Sequence, residues 1–184
     1  MLMTPEESLN LLKDGNRRYL TASAMGGDIS ITRRQETAEK GQHPYAIVVS
    51  CSDSRVIPEA IFSCSLGDLF TVRVAGNVLD AHQLGSVEYA LKHLSCPLIV
   101  VMGHTRCGAI SAALSGHADG FIQAITDEIR KAAGAERDPL KACRLNVRRG
   151  VQLLREALRA HPGIGSPKVI GAIYNTDSGE VRWM

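Results

Sequence analysis

A single α/β domain, with a mainly parallel central sheet and helices on its faces, is what this sequence predicts, and three observations carry the prediction. Short apolar, β-branched runs such as Ile47-Val48-Val49 and Ile99-Val100-Val101 have the length and composition of strands buried on both sides. Segments of helical spacing separate them, an alternation that implies parallel strands joined by crossover helices. Two of the runs then end abruptly in metal-capable side chains, Cys51 and the pair His104 and Cys107. Open α/β sheets put their sites at such carboxyl ends.

Thr4-Pro5-Glu6-Glu7 reads as a helix start, with threonine at the cap and glutamate three residues on. Leu9, Leu12, Asn16 and Tyr19 share one face of the helix that follows, to about Leu20. Residues 21–28 form a loop, and Ser30 caps a polar helix that stops at Gly41. The first strand runs from Tyr45 to Ser50, and Pro58 to Phe62 is a short helix. Strands at Leu69–Val74 and Leu98–Met102 flank a helix from Leu84 to Leu94, and another helix opens at Cys107. Residues 120–133 and 139–160 are helical. The second of these turns Leu140, Val147, Val151, Leu154 and Leu158 inward and five arginines mostly outward, as a solvated face. Val169–Tyr174 is a last parallel strand, and Asp177-Ser178-Gly179 turns the chain into a short return strand, Glu180 to Trp183. The 184 residues form one unit, with 1–41 as a helical arm reaching toward a partner subunit and 42–184 as the α/β core.

Composition narrows the function classes. A net charge of +2 gives no electrostatic footprint for nucleic acid or membrane, and 4% aromatics leave few stacking platforms for single strands. No apolar run reaches spanning length, and Met1 to Glu7 lacks the core of a signal peptide. A cytoplasmic protein is expected. Five cysteines are an odd count in a chain large enough to hold a core, so thiols for metal are favoured over a disulfide framework. Cys64, Cys96 and Cys143 have no ligand-spaced partner and read as small buried hydrophobes.

Cys51, His104 and Cys107 make a Cys₂His set, and three protein ligands with one open position are the pattern of a catalytic zinc site. A His-x-x-Cys pair alone is weak evidence. Its weight here comes from the second cysteine at a matching strand end, beside Asp53 and Arg55. An arginine next to a carboxylate keeps it ionised and fixes its direction. No Gly-x-Gly-x-x-Gly or lysine-bearing phosphate loop follows a strand, which excludes the common nucleotide sites.

Cys51-Ser52-Asp53-Ser54-Arg55 followed by His104-Thr105-Arg106-Cys107-Gly108 resembles the paired signature of the β-class carbonic anhydrases. Leu66 to Asn77, Gly85 to Ala90, and Gly171 to Tyr174 with its Asp-Ser-Gly turn are similar to the same family. The resemblance implies one zinc ion per subunit on Cys51, His104 and Cys107, with Asp53 and Arg55 as the catalytic dyad. It also implies a carbon dioxide and bicarbonate pocket of Gln42, Phe70, Ala75, Tyr89 and Gly108, shared between subunits of a homodimer or homotetramer. Ala75 stands where many members carry a larger aliphatic residue. In some members the aspartate leaves its arginine and becomes a fourth zinc ligand, closing the site. Those members usually lack the glutamine, so Gln42 points to the open type.

The activity implied is reversible hydration of carbon dioxide to bicarbonate and a proton. Zinc brings the pKa of a bound water toward neutrality, and Asp53 would orient the resulting hydroxide. Gln42 would donate its amide N–H to a substrate oxygen, with Phe70 and Tyr89 as an apolar wall. Two rivals share the residues: a hydrolase of carbonyl sulfide or carbon disulfide, and a non-enzymatic zinc-stabilised scaffold.

Overall fold

Five strands form one sheet in the order β2-β1-β3-β4-β5, in a computed structural model that describes residues 3–22, 24, 26–161, 163 and 166–184. The strands are β1 (Ala46–Ser50), β2 (Leu69–Arg73), β3 (Leu98–His104), β4 (Lys168–Tyr174) and β5 (Val181–Trp183). The first four are parallel, and β5 returns antiparallel on β4. Every residue of β1 and β3 is buried, as expected of central strands covered on both faces.

The helices are α1 (Pro5–Thr21), α2 (Ile31–Lys40), α3 (Pro58–Ile61), α4 (Ala81–Leu94), α5 (Gly108–Ser115), α6 (Ile122–Ala133) and α7 (Pro139–Ala160). One sheet face carries the larger core, where Ile47, Val49, Ile99 and Val101 meet side chains of α4 to α7, including Val87, Ile110, Ile129 and Val147. On the other face, Val48, Val100 and Met102 meet Leu12 of α1, Ile61 of α3 and Phe62.

Several element ends differ from the sequence reading. α4 starts at Ala81, three residues before Leu84, because Asp80 and Gln83 close a capping box that hydrophobic spacing does not register. β3 runs two residues past Met102, since Gly103 and His104 keep pairing with Ile173 and Tyr174. β1 begins one residue after Tyr45, and β2 ends one before Val74. Cys107 caps α5 from outside it. Leu140, expected inward, is 39% exposed. The 21–28 loop is described except at Ser23 and Met25, and the expectations for Met1 and Leu2 lie outside the described residues.

α1 is fastened to its own chain. Asn16, 6% exposed, donates to the carbonyls of Ile61 and Gly179 and accepts from Val181 N–H at 3.0 Å, so one amide satisfies three backbone groups from two elements. α2 buries none of its residues and is tied to residues 66–68 by Arg33, whose guanidinium donates to the Leu66 carbonyl and the Asp68 carboxylate. No helix among the described residues is long and apolar enough to cross a membrane.

The approach of α1 to α3 permits no side chain at Gly15, where an added Cβ would lie 1.8 Å from the Phe62 carbonyl oxygen. Gly15→Ala is therefore expected to destabilise the chain by about 3 kcal/mol through overpacking. Urea unfolding measures this, and an unchanged midpoint would mean that α1 seats elsewhere.

Candidate metal centre

Cys51 is the first residue beyond β1, and His104 is the last of β3. The parallel register pairs Ser50 with Met102, so Cys51 emerges beside the end of the neighbouring strand. A tight turn follows β3, with Arg106 at φ 57°, and returns Cys107 to the same spot as the cap of α5. The ligand-capable atoms of Cys51, His104 and Cys107 all lie within 4.8 Å of one another, and all three residues are buried. Among the described residues no other group of His, Cys, Asp or Glu meets this standard.

The chemistry of the trio fits a cation. His104 Nδ1 lies 3.0 Å from the Thr105 carbonyl and donates its hydrogen there, which leaves Nε2 with a lone pair. Nε2 is buried and has no hydrogen-bond partner, an orphan that a metal would satisfy. The two thiols act on each other. The neighbouring Cys107 thiol holds the Cys51 thiol well below its ordinary range, and the same proximity with burial pushes Cys107 up. A cation between them would favour the thiolate form of both sulfurs. The three remaining cysteines behave as the sequence suggested: burial pushes Cys64 and Cys96 up to about 12 and Cys143 to about 11.

Asp53 and Arg55 meet in a two-pronged pair. Arg55 Nε donates to Asp53 Oδ1 at 2.9 Å and Nη2 to Oδ2 at 2.7 Å, while the Arg55 backbone N–H adds a third bond at 3.0 Å. The guanidinium holds the Asp53 carboxyl well below the usual carboxylate range. Oδ2 also stands 4.0 Å from His104 Nε2, so the carboxylate borders the orphaned nitrogen while remaining on arginine. Arg55 Nη2 reaches the Arg106 carbonyl at 3.2 Å, joining the two halves of the motif.

The backbone around the trio is held by residues to which sequence reasoning gave no role. Arg73, at the end of β2, donates to the carbonyls of Cys51 and Asp53. Gly76 N–H donates to Cys51 Sγ at 3.2 Å from a left-handed residue, φ 68°, where an added Cβ would lie 2.8 Å from Ile129 Cδ1. Buried Asn146 on α7 donates to the Gly76 carbonyl at 2.8 Å. Its signal in the sequence was a lone amide on the apolar face of that helix, next to Val147 and Gly150.

A family model for carbonic anhydrase matches residues 46–181. The chain is 35% identical over 191 residues to a carbonic anhydrase of Mycolicibacterium smegmatis, an alignment covering 97% of this chain and 92% of that one. A β-carbonic anhydrase of Aspergillus fumigatus has a similar structure, with a TM-score of 0.71 at 30% identity over 82% of this chain and 79% of that one. The chain belongs to the β-carbonic anhydrase family. A tetrameric β-carbonic anhydrase of Sordaria macrospora is also similar, with a TM-score of 0.69 at 26% identity over 84% of this chain and 87% of that one.

The five residues that the family resemblance assigned to a pocket fall into two groups. Ala75 adjoins Gly76, and Gly108 adjoins Cys107, so both border the trio. Phe70 and Tyr89 instead pack on each other, with ring centroids 6.2 Å apart, at β2 and α4. Tyr89 is 51% exposed there, and Gln42 is exposed beside Gly67. β2 has no strand on its outer side, so these three occupy an open edge of the sheet.

Asn146→Leu removes the amide that fixes Gly76 and leaves the buried Gly76 carbonyl unpaired. The expected result is a metal affinity lower by about tenfold or more, read by chelator competition. An unchanged affinity would show that Gly76 holds its place alone.

Proposed function

We propose that this member of the family catalyses the reversible hydration of carbon dioxide to bicarbonate and a proton, with one zinc ion per subunit on Cys51, His104 and Cys107. The observation that carries the reading is the orphaned Nε2 of His104 between two thiol sulfurs, bordered by a carboxylate on its own arginine. When bound, zinc supplies a nucleophilic hydroxide near neutral pH by acidifying water.

The residues divide the remaining work. Thr105 and Gly76 aim the ligands, the first through its carbonyl to His104 Nδ1 and the second through its N–H to Cys51. Asp53, kept anionic by Arg55, accepts a hydrogen from the nucleophile and turns a lone pair toward carbon dioxide. An aspartate released by Arg55 could instead become a fourth ligand and shut the site. Its bidentate hold on arginine supports the open form here. Gly108 offers backbone at the start of α5, and Ala75 leaves room beside it.

Gln42, Phe70 and Tyr89 complete a pocket only across a subunit boundary in this reading. An open β2 edge and an α2 with no buried residue favour a homodimer or homotetramer, and tetrameric relatives point the same way. Cysteines kept reduced for metal suit a cytoplasmic setting.

Stopped-flow hydration of carbon dioxide by metal-quantified protein tests the proposal, with carbonyl sulfide and carbon disulfide run in parallel. Fast hydration with slow turnover of both sulfur substrates is expected, and the reverse order would assign a hydrolase. Asp53→Ala should keep its metal while losing about a hundredfold in rate. An undiminished rate would remove Asp53 from the orienting role. Cys107→Ser is expected to emerge nearly metal-free, and full occupancy would take Cys107 out of the ligand set. The hydration rate should rise from mildly acidic to alkaline pH, and a flat profile would contradict a metal-activated nucleophile.

A further inference from the structure

The arginine face of α7, which reads in the sequence as solvated surface, is the wall of a groove. Arg144, Arg148, Arg155 and Arg159 fall within about 60° of one another on the helix and span about 22 Å of its length. They line a cavity of about 750 Å³ between α7 and the β4-β5 edge, and Arg182 of β5 closes it from the opposite side. Its floor is apolar, made by Val147, Val151, Gly171 and Ile173. No aspartate or glutamate lines it, although the whole chain has a net charge of only +2. Five guanidinium groups thus face one groove without a carboxylate among its lining residues.

Some of these guanidinium groups already have partners. Arg155 donates to the Val169 carbonyl at 2.8 Å, Arg159 to the Arg155 carbonyl at 3.2 Å, and Arg182 pairs with Glu180. Arg144 and Arg148 have no ion pair among the described residues. Two exposed guanidiniums one helical turn apart, facing a third across a groove, present planar forks that match phosphate oxygens. A second copy packed by two-fold symmetry would set the same five arginines against themselves, which disfavours that occupant.

We propose that this groove binds a soluble organic polyphosphate. Its phosphates lie on Arg144, Arg148 and Arg182, and its organic part rests on the Val151 and Ile173 floor. A small ligand is favoured because the volume is that of small-molecule sites, and a polyphosphate because it packs several negative charges into a few ångströms. The site is separate from the metal trio and independent of the hydration reading. It approaches the centre at Leu140, which also lines the cavity beside His104 and Cys107, and at Thr105, whose carbonyl accepts the His104 hydrogen.

Calorimetric titration of the full chain with ATP, near physiological salt and without added divalent cation, tests the proposal. Saturable binding of one ATP per chain is expected. Arg144→Ala with Arg148→Ala should weaken it at least about tenfold, without changing metal content or the unfolding midpoint. Arg34→Ala, on exposed α2 outside the groove, should leave it intact. Should the double alanine variant fail to fold, Arg144→Lys with Arg148→Lys keeps the charge but loses the forks, and a weakened ATP affinity is again expected. Absent saturable binding, or unchanged affinity in the groove variants, would overturn the proposal. So would inorganic tripolyphosphate binding as tightly as ATP, since the floor would then contribute nothing. Preference for polyglutamate over ATP would identify an acidic polypeptide instead, and a changed oligomeric state in the double variant would identify an interface between copies. Either outcome also overturns the proposal.

Discussion

The parallel pairing of β1 with β3 is the constraint on which the candidate metal centre depends. Ser50 opposite Met102 makes the end of one strand abut the end of the next, so a cysteine and a histidine far apart in sequence become neighbours. A shift of one residue would reverse the facing of every side chain in the strand. Both strands are wholly buried, and that burial locks the register. The stability of the central sheet and the geometry of the ligands are therefore one property.

Around that junction the chain uses backbone groups as much as side chains. Thr105 C=O, Gly76 N–H, and the carbonyls of Cys51, Asp53 and Arg106 each take or give a hydrogen bond that fixes a ligand or the carboxylate beside it. These groups lie in the short turns that follow β1, β2 and β3, where the hydrogen bonds fix their directions. α7 contributes from a distance. Its buried face packs the core and supplies Asn146, while another face carries the arginines.

Much of this was legible in the residues. Runs such as Ile99-Val100-Val101 have the length and β-branched composition of central strands, and the matching placement of Cys51 and His104 after such runs pointed to the trio. Asp53 and Arg55 were legible as a carboxylate and a guanidinium two residues apart, although a turn closed by Val56 N–H on the Asp53 carbonyl, and not an extended loop, brings them together. Asn146 and Gly76 were not legible, because their roles arise from contacts between α7 and a turn some seventy positions away. The arginines of α7 were legible as a stripe, but a stripe does not say whether water or a sheet edge lies opposite. Leu140 was misplaced for a related reason, since helical spacing gives a face but not where the neighbouring element ends. Phe70 and Tyr89 show the reverse. Aromatic residues on a strand and a helix suggest core, yet only Phe70 packs partly against it, and Tyr89 is half-exposed beside it at the sheet edge.

The long sequence separation between Cys51 and the His104–Cys107 pair also bears on biosynthesis. Unlike a zinc finger, whose ligands lie on one short loop, this trio has no local version that a nascent chain could form. A metal ion held by the three would find its full ligand set only after synthesis has passed Cys107 and β3 has docked on β1. Asn146, which steadies the turn over Cys51, is translated later still. Metal loading at such a site would be a late event in the life of the polypeptide, and an ion held there would act as a ligand of the native state alone, pulling completed chains toward the folded form.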